Sequence, residues 1–435
     1  MSQELSIGST IKTKFGKTAT VKSYIAEGGQ GFVYVVDYDG HDMALKWYKQ
    51  TGLGNDPAEF YDNIYQNVKR GTPSKEFLWP VDITEWQNGT FGYIMELRPD
   101  GYYELTQYML CKRRFSSYRA AINASLKIVN AFRKLHNAGY SYQDINDGNF
   151  FIEPQKGGVL ICDNDNVAPD KTQTGILGKP RYMAPEVVRG ETMPNSYSDR
   201  FSMAVILFLI FHLTHPLEGK RYLTPGLSPE LQEKLYGTEA LFTMDPDDHS
   251  NEPDPYVNRN VIAVWNCLPD YMRDIFLKAF SRRTMLEKPT LRPSEKEWLN
   301  ALTRFRSEIA TCGCGNEVFT QEGKPSRCDS CGKKLSIPFR LELRDYCIPA
   351  IKDSRIYRCQ IDVCNEDTAL DPVALVVQKK DQPGVLGIRN MSGKTWNAIT
   401  TKGVSRKVMP DEVIPLKDGI TFTVFDHTVR ISQNS

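Results

Sequence analysis

The stretch YSYQDINDGNFFIEPQKGGVLICD, residues 140–163, decides how this chain is read. Asp144 and Asn149 lie five residues apart within it. A short apolar run follows, and then the cluster Asp163-Asn164-Asp165. Carboxylate and amide side chains offer the hard oxygen ligands that Mg²⁺ prefers. A chain that uses them on a bound phosphate needs further parts at set places, so the rest of the sequence becomes a test.

Upstream, residues 25–36 read IAEGGQGFVYVV, with Gly28, Gly29 and Gly31 between two strand-like runs. Glycines let a backbone approach phosphate oxygens and present N–H donors to them. An ordinary tight hairpin explains the same residues equally well. Next comes HDMALKWY, residues 41–48, a strand carrying Lys46 two residues after Ala44. A cation on that strand can reach a nucleotide's phosphates. Residues 57–69 are helical by pattern, with Phe60, Ile64 and Val68 recurring at every fourth position. Residues 91–97, FGYIMEL, form an apolar strand that ends at Arg98-Pro99. From Tyr103 the pattern turns helical, over 120–136, 195–211, 261–283 and 293–309.

The 435 residues suggest two or three domains, and the formal net charge of +1 gives no push toward nucleic acid or an anionic membrane. Mean hydropathy is −0.43, as in soluble globular chains. No secretory signal is visible in MSQELSIGST. The longest apolar run, residues 203–211, is about half the ~20 residues a membrane helix needs. A cytoplasmic protein is the expectation.

Four of the ten cysteines crowd into TCGCGNEVFTQEGKPSRCDSCGKKL. Cys312 and Cys314 are followed by Cys328 and Cys331, two close pairs a strand–turn–strand apart, the pattern of a structural Cys₄ Zn²⁺ site. Two disulfides are the alternative. Beyond residue 337 short strands recur over 339–343, 356–361, 373–377, 385–389, 396–400, 404–408, 413–416, 420–425 and 427–431, the signature of a β-sandwich. Cys347, Cys359 and Cys364 are read as core or surface thiols.

Taken in order, AEGGQGFV, MALK, MELR, YQDINDGN, CDND, YMAPE, SDRFSMAV and LRPSEKEW resemble a eukaryotic-type (Hanks-type) Ser/Thr protein kinase over about residues 8–305. The resemblance implies an α+β, bilobal fold, with a small lobe over 8–97 and a large lobe over 98–305. A zinc ribbon would follow at 306–336 and a β-sandwich at 337–435. It implies ATP with Mg²⁺ (or Mn²⁺). Asp144 then accepts the substrate hydroxyl's proton, Asn149 and Asp163 hold the metal, and Lys46 holds the phosphates. Gly28, Gly29 and Gly31 form the phosphate loop. Ile25, Val33, Ala44 and Phe151 enclose adenine, with Met95 as gatekeeper and the backbones of Glu96 and Arg98 at the hinge. Asp199 braces the catalytic loop, and Glu186 pairs with Arg292.

The departures are specific. Ala26 replaces the first loop glycine. Tyr142-Gln143 replaces His-Arg, which removes the usual partner of an activation-loop phosphate. Asn146 stands where a lysine is usual, and Lys179 stands where a threonine is usual. A lysine lost from one segment would then be replaced by one from another, keeping a cation beside the γ-phosphate; the alternative is that Lys179 simply faces solvent. The helical glutamate that would pair with Lys46 is missing; Asp62 is the candidate nearest its place. Asp165, in place of the usual glycine, is read as a turn residue, with a further metal-side carboxylate as the alternative.

RNMSGKTWN and VIPLKDGITFTV resemble the second half of a forkhead-associated domain, with Arg355, Ser392 and Lys394 as candidate phosphate contacts. Kinase, ribbon and tail together, with GTPSKEFLWP, resemble bacterial kinases of tellurite-resistance-associated triads. That resemblance implies a von Willebrand A-domain protein as substrate and a partner phosphatase, without nucleic acid or membrane. Two other readings stay open: a pseudokinase scaffold acting through its C-terminal modules, and a small-molecule kinase. Substituting Thr172 and Thr174 with Ala is expected to leave phosphoryl transfer within about twofold of wild type, because Gln143 carries no charge to pair with a phosphate. Abolished transfer in a labelled-ATP assay would refute this.

Overall fold

In the computed structural model, residues 4–172, 178–224, 226, 228–320, 326–343, 347–361, 371–382 and 384–433 are described. They form two compact units, one of Met1–Ser116 with Lys127–Glu295 and one of Ser117–Leu126 with Lys296–Ser435.

The first unit opens with six antiparallel strands: β1 (Thr10–Lys12), β2 (Thr18–Glu27), β3 (Gly31–Tyr38), β4 (His41–Tyr48), β5 (Pro80–Ile83) and β6 (Gly92–Glu96). Their order in the sheet is β1-β2-β3-β4-β6-β5. The β2–β3 turn closes with Gly28 N–H donating to Gly31 O at 2.8 Å. Any side chain at position 31 would bring its Cβ within 2.3 Å of Trp47 O, so glycine is required there. Helix α1 (Pro57–Arg70) packs Phe60 and Ile64 against the sheet, as the fourfold spacing predicts. Asp56 caps its first turn by accepting from Glu59 N–H at 2.9 Å.

The large-lobe part of this unit is built on the helix Ser196–His212, whose residues are nearly all buried. Asn195 and Ser198 close its N-terminus as a reciprocal capping box. The stretch expected to be one helix over 261–283 breaks at Leu268-Pro269 into Arg259–Trp265 and Asp270–Ala279, because proline cannot continue an α-helix hydrogen-bond ladder.

The second unit holds the hairpin Ile309–Thr311 with Glu317–Phe319, then two antiparallel sheets. One has six strands and one has four, and both contribute to one core around Trp396 and Phe422, whose rings stack at 5.0 Å. Two corrections fall here. Strand Cys347–Ala350 was not foreseen, and the expected strand 356–361 is a strand only over Arg355–Tyr357 before turning helical at Arg358–Ile361. Cys364 and Thr174 lie outside the described residues.

Between elements of the first unit sits His136, buried, with Nε2 3.1 Å from Asp199 Oδ2 and Nδ1 2.8 Å from Glu295 Oε1. Burial pulls the imidazole pKa down, and the two carboxylates outweigh it, leaving it raised to about 9 from the ordinary 6.5. Burial pushes Glu295 up, and His136 and Arg200 more than offset that, leaving it lowered to about 2 from 4.5. The histidine's contribution is therefore complete below pH 6.5 and lost as pH rises through 9. Wild type is expected to lose roughly 2–3 kcal/mol across that window that a His136→Gln variant, already less stable, does not lose. Denaturant melts at the two pH values check it; parallel curves would refute it.

Candidate functional site

Strand β4 places Lys46 opposite Val33 on one side and Tyr93 on the other. Residues 46 and 48 point to the same face of a strand, so Lys46 and Tyr48 enter the interior together. Lys46 is 5% exposed and Tyr48 is fully buried. The Lys46 ammonium donates to Asp165 Oδ2 at 2.7 Å, Gln30 Oε1 at 3.0 Å and Asp163 Oδ1 at 3.2 Å. Tyr48 O–H also donates to Asp165 Oδ2. Burial pulls the ammonium's pKa down, and Asp163 and Asp165 more than offset that, so it stays charged well above its ordinary value.

Asp165 does lie in a short turn, the 3₁₀ segment Asn164–Asn166, but its carboxylate is completely buried and is the nearest one to Lys46. The expectation for Asp62 is corrected. Asp62 does not reach the lysine. It is exposed on α1 and accepts from Gln66 of its own helix at 3.4 Å. The helix meets this region through amides instead. Asn63 Nδ2 donates to Val167 O at 2.9 Å and Asp165 O at 3.3 Å, and Asn67 Nδ2 donates to Val167 O at 2.8 Å.

Asp163 has the left-handed backbone φ of 52°, and its side chain is 43% exposed. Of the two carboxylates beside Lys46, it alone is open to a ligand. Asp144 is held by Asn146 Nδ2, 3.1 Å from its Oδ1, and its carbonyl accepts from Asn149 Nδ2 at 2.8 Å. Burial raises the Asp144 pKa to about 6; the Asn146 hydrogen bond works against this and the negative charge of Asp163 adds to it. Lys179 Nζ donates to Asn146 Oδ1 at 3.2 Å, so the lysine from the later segment does come to the loop residue that stands in the usual lysine's place.

The loop is fixed from behind. Asp199 accepts Tyr142 N–H at 2.6 Å and Gln143 N–H at 3.1 Å, with Gln143 at the left-handed φ of 72°. Gln143 Nε2 donates to Thr172 O at 2.7 Å, a neutral link to the segment where a charged one is usual. Glu186 and Arg292, both buried, form a two-pronged pair at 2.7 and 2.6 Å.

Val33 and Ala44 join one apolar cluster with Met95, Leu97, Leu160 and Cys162. Ile25 is half exposed at its edge of β2. The Arg98 guanidinium lies 4.4 Å over the Phe151 ring and donates to Tyr102 O at 2.5 Å. Glu96 is exposed at the end of β6. Gly29 leaves open space at the hairpin, and a Cβ at Gly28 would meet only Gly31 O at 3.9 Å. Val33 and Ala44 thus lie on the strands that carry Gly31 and Lys46, with Lys46 itself beside Asp163.

In the second unit the Sγ atoms of Cys312, Cys314, Cys328 and Cys331 lie within 4.8 Å of one another. The Cys312–Cys331 and Cys314–Cys328 pairs are each 3.6 Å apart. Four ligands at ~2.3 Å from one ion would sit ~3.8 Å apart, so the thiols fit a tetrahedral metal. Gly315 and Gly332, at φ of 92° and 69°, turn the chain back and donate to Cys312 O and Cys328 O, each at 2.8 Å. In the tail, Ser392 is engaged internally, donating to Asn390 Oδ1 at 2.8 Å and accepting from Trp396 Nε1 at 2.9 Å.

Among the described residues, no helix is long and apolar enough to cross a membrane. A family model described as a protein kinase domain matches residues 81–300. The maternal embryonic leucine zipper kinase of Xenopus tropicalis is 25% identical over 175 residues, covering 39% of this chain and 26% of that protein. The Ser/Thr-protein kinase pkn3 of Myxococcus xanthus is 24% identical over 229 residues, covering 49% of this chain and 40% of its own length. The chain thus spans less than half the length of either relative. A crystal structure of the Mycobacterium tuberculosis PknI kinase domain aligns at 18% identity with a TM-score of 0.45, over 69% of this chain and 98% of that one.

Proposed function

The chain belongs to the protein kinase domain family, and on that premise we propose that it is a cytoplasmic, ATP- and Mg²⁺-dependent Ser/Thr protein kinase of bacterial Hanks type. The observation that supports this reading is the linkage of Lys46 to Asp163 at 3.2 Å, of the adjoining Cys162 N–H to Asn149 O at 2.9 Å and of Asn149 to Asp144 at 2.8 Å, with Ala44 on the same strand as Lys46 and Val33 paired opposite it. Lys46 holds the α- and β-phosphates under the Gly28–Gly31 turn. Asn149 and Asp163 would hold the metal (Mg²⁺ or Mn²⁺), which supplies neutralising charge to the phosphate oxygens when bound. Asp144 orients the substrate hydroxyl and takes its proton. Asn146 fixes Asp144, and Lys179 brings a cation to the same loop. Adenine stacks between Ile25, Val33 and Ala44 on one side and Phe151 on the other, with Glu96 and Arg98 at the hinge.

In this reading Asp165 and Tyr48 are positioning residues for Lys46, in the role a helix glutamate usually fills. The absence of an acidic α1 partner for Lys46 among the described residues also favours a second reading, a scaffold without catalysis. The domain plan is a kinase at 8–305, a zinc ribbon at 306–336 and a forkhead-associated-like sandwich at 337–435. The von Willebrand A-domain protein and the phosphatase are proposed as substrate and partner within a bacterial stress-response module.

Labelled ATP separates the readings. Asp144→Asn and Asp163→Ala are expected to lower phosphoryl transfer at least a hundredfold, and no Asp144-dependent label on any protein would favour the scaffold. Asp165→Asn, leaving Lys46 with one fewer buried charge partner, is expected to lower kcat/KM for ATP about 10–100-fold, while Asp62→Ala changes it less than twofold. Equal effects of the two would refute the assignment of Asp165. Lys179→Met should lower kcat with little change in the KM for ATP.

Metal analysis of the purified chain is expected to find one Zn²⁺ per molecule, lost in a Cys328→Ser/Cys331→Ser variant. Full zinc content in that variant would refute the ribbon.

A further inference from the structure

A cleft of about 640 Å³ in the second unit is used by nothing described so far. Its walls are the end of the helix Glu295–Ser307, the start of the helix Tyr118–Asn137, the first cysteine knuckle and the turn between strands Cys347–Ala350 and Arg355–Tyr357. Four cations line it, Arg119, Arg306, Lys352 and Arg355, against a single lining carboxylate, Asp353.

Two of these guanidinium groups are set rigidly. Arg306 donates to Asn123 Oδ1 at 2.7 Å and Tyr357 O–H at 2.9 Å, and lies 4.2 Å over the Tyr357 ring. Arg119 donates to Thr311 Oγ1 at 2.7 Å and Ile309 O at 2.5 Å, with Glu317 at 3.8 Å. The partners of Arg306 are neutral, so they fix its fork without cancelling its charge, whereas Arg119 is partly compensated by Glu317. Among the described residues, Arg306, Lys352 and Arg355 have no carboxylate within ion-pair distance. Burial, and Arg306 nearby, both hold the Arg119 guanidinium below its ordinary pKa, with Glu317 opposing. Like charges held together in a recess raise the local potential and draw an anion in. Two planar forks suit the oxygens of a phosphate, and three uncompensated cations favour a dianion over a carboxylate.

We propose that this cleft binds a phosphate monoester dianion, gripped by Arg119 and Arg306 and closed over by Lys352 and Arg355. The proposal stands apart from the kinase reading. Of the three tail positions considered for phosphate from the sequence, the cleft includes Arg355 and neither Ser392 nor Lys394.

The test is calorimetric titration of the full chain at low ionic strength with inorganic phosphate, with a phosphothreonine peptide and with its unphosphorylated form. Lys352→Glu/Arg355→Glu reverses two exposed charges that make no internal ion pair, so the fold should persist, as a thermal melt would check. Phosphate binding is expected to weaken at least tenfold in this variant and in Arg306→Gln, and to weaken in wild type as salt rises. Tighter binding of the phosphopeptide than of inorganic phosphate would assign the dianion to a protein side chain; the reverse order would assign it to a small molecule. Absence of phosphate binding, equal binding in wild type and both variants, or equal binding of the two peptides without binding of inorganic phosphate would overturn the proposal.

Discussion

A charged amine buried beside a buried carboxylate governs the small lobe. An ammonium removed from water is tolerated only when its charge is matched and its hydrogens are used. Lys46 meets that demand with Asp165, Asp163 and Gln30, and Tyr48 fills a further site on Asp165. The strand register does the rest, since residues 46 and 48 share a face. The Tyr48 ring packs at 5.2 Å on Phe60 of α1 and at 5.1 Å on Phe91, so the polar cluster is walled by the aromatic core that seats the helix on the sheet. Sheet, helix and the 163–165 turn are thereby tied to one point.

Much of this was legible because its signals are local. The Asp144–Asn149 spacing, the Lys46 strand, the fourfold period of α1 and the alternating strands of the tail each occupy a few consecutive residues. The paired cysteines with glycine after each pair are equally compact, and the structure brings all four thiols together. The meeting of Lys179 with Asn146 was signalled only by a lysine gained where another was lost, and Lys179 is also exposed, as the alternative had it.

What escaped has a common cause. Asp165 lies 119 residues from Lys46, and no local pattern says that a carboxylate after Asp163-Asn164 turns inward. A polar residue near glycine-poor turn sequence reads as solvent-facing until its buried partner is known. Asn63 and Asn67 hid for the same reason: asparagines four apart on an amphipathic helix resemble its wet face. The break at Pro269 was written in the sequence but was overridden by the apolar period on either side. Strand Cys347–Ala350, four residues with a proline inside, was too short to show alternation.

The amide contacts of Asn63 and Asn67 have a consequence for how such a lobe can be controlled. A helix held by an ion pair can be loosened by salt, by protons or by a competing phosphate. A helix held by neutral amides on the carbonyls of Asp165 and Val167 is deaf to all three. Charge then acts on this lobe through the Lys46–Asp165 pair, while the seat of the helix on the turn is insulated from it.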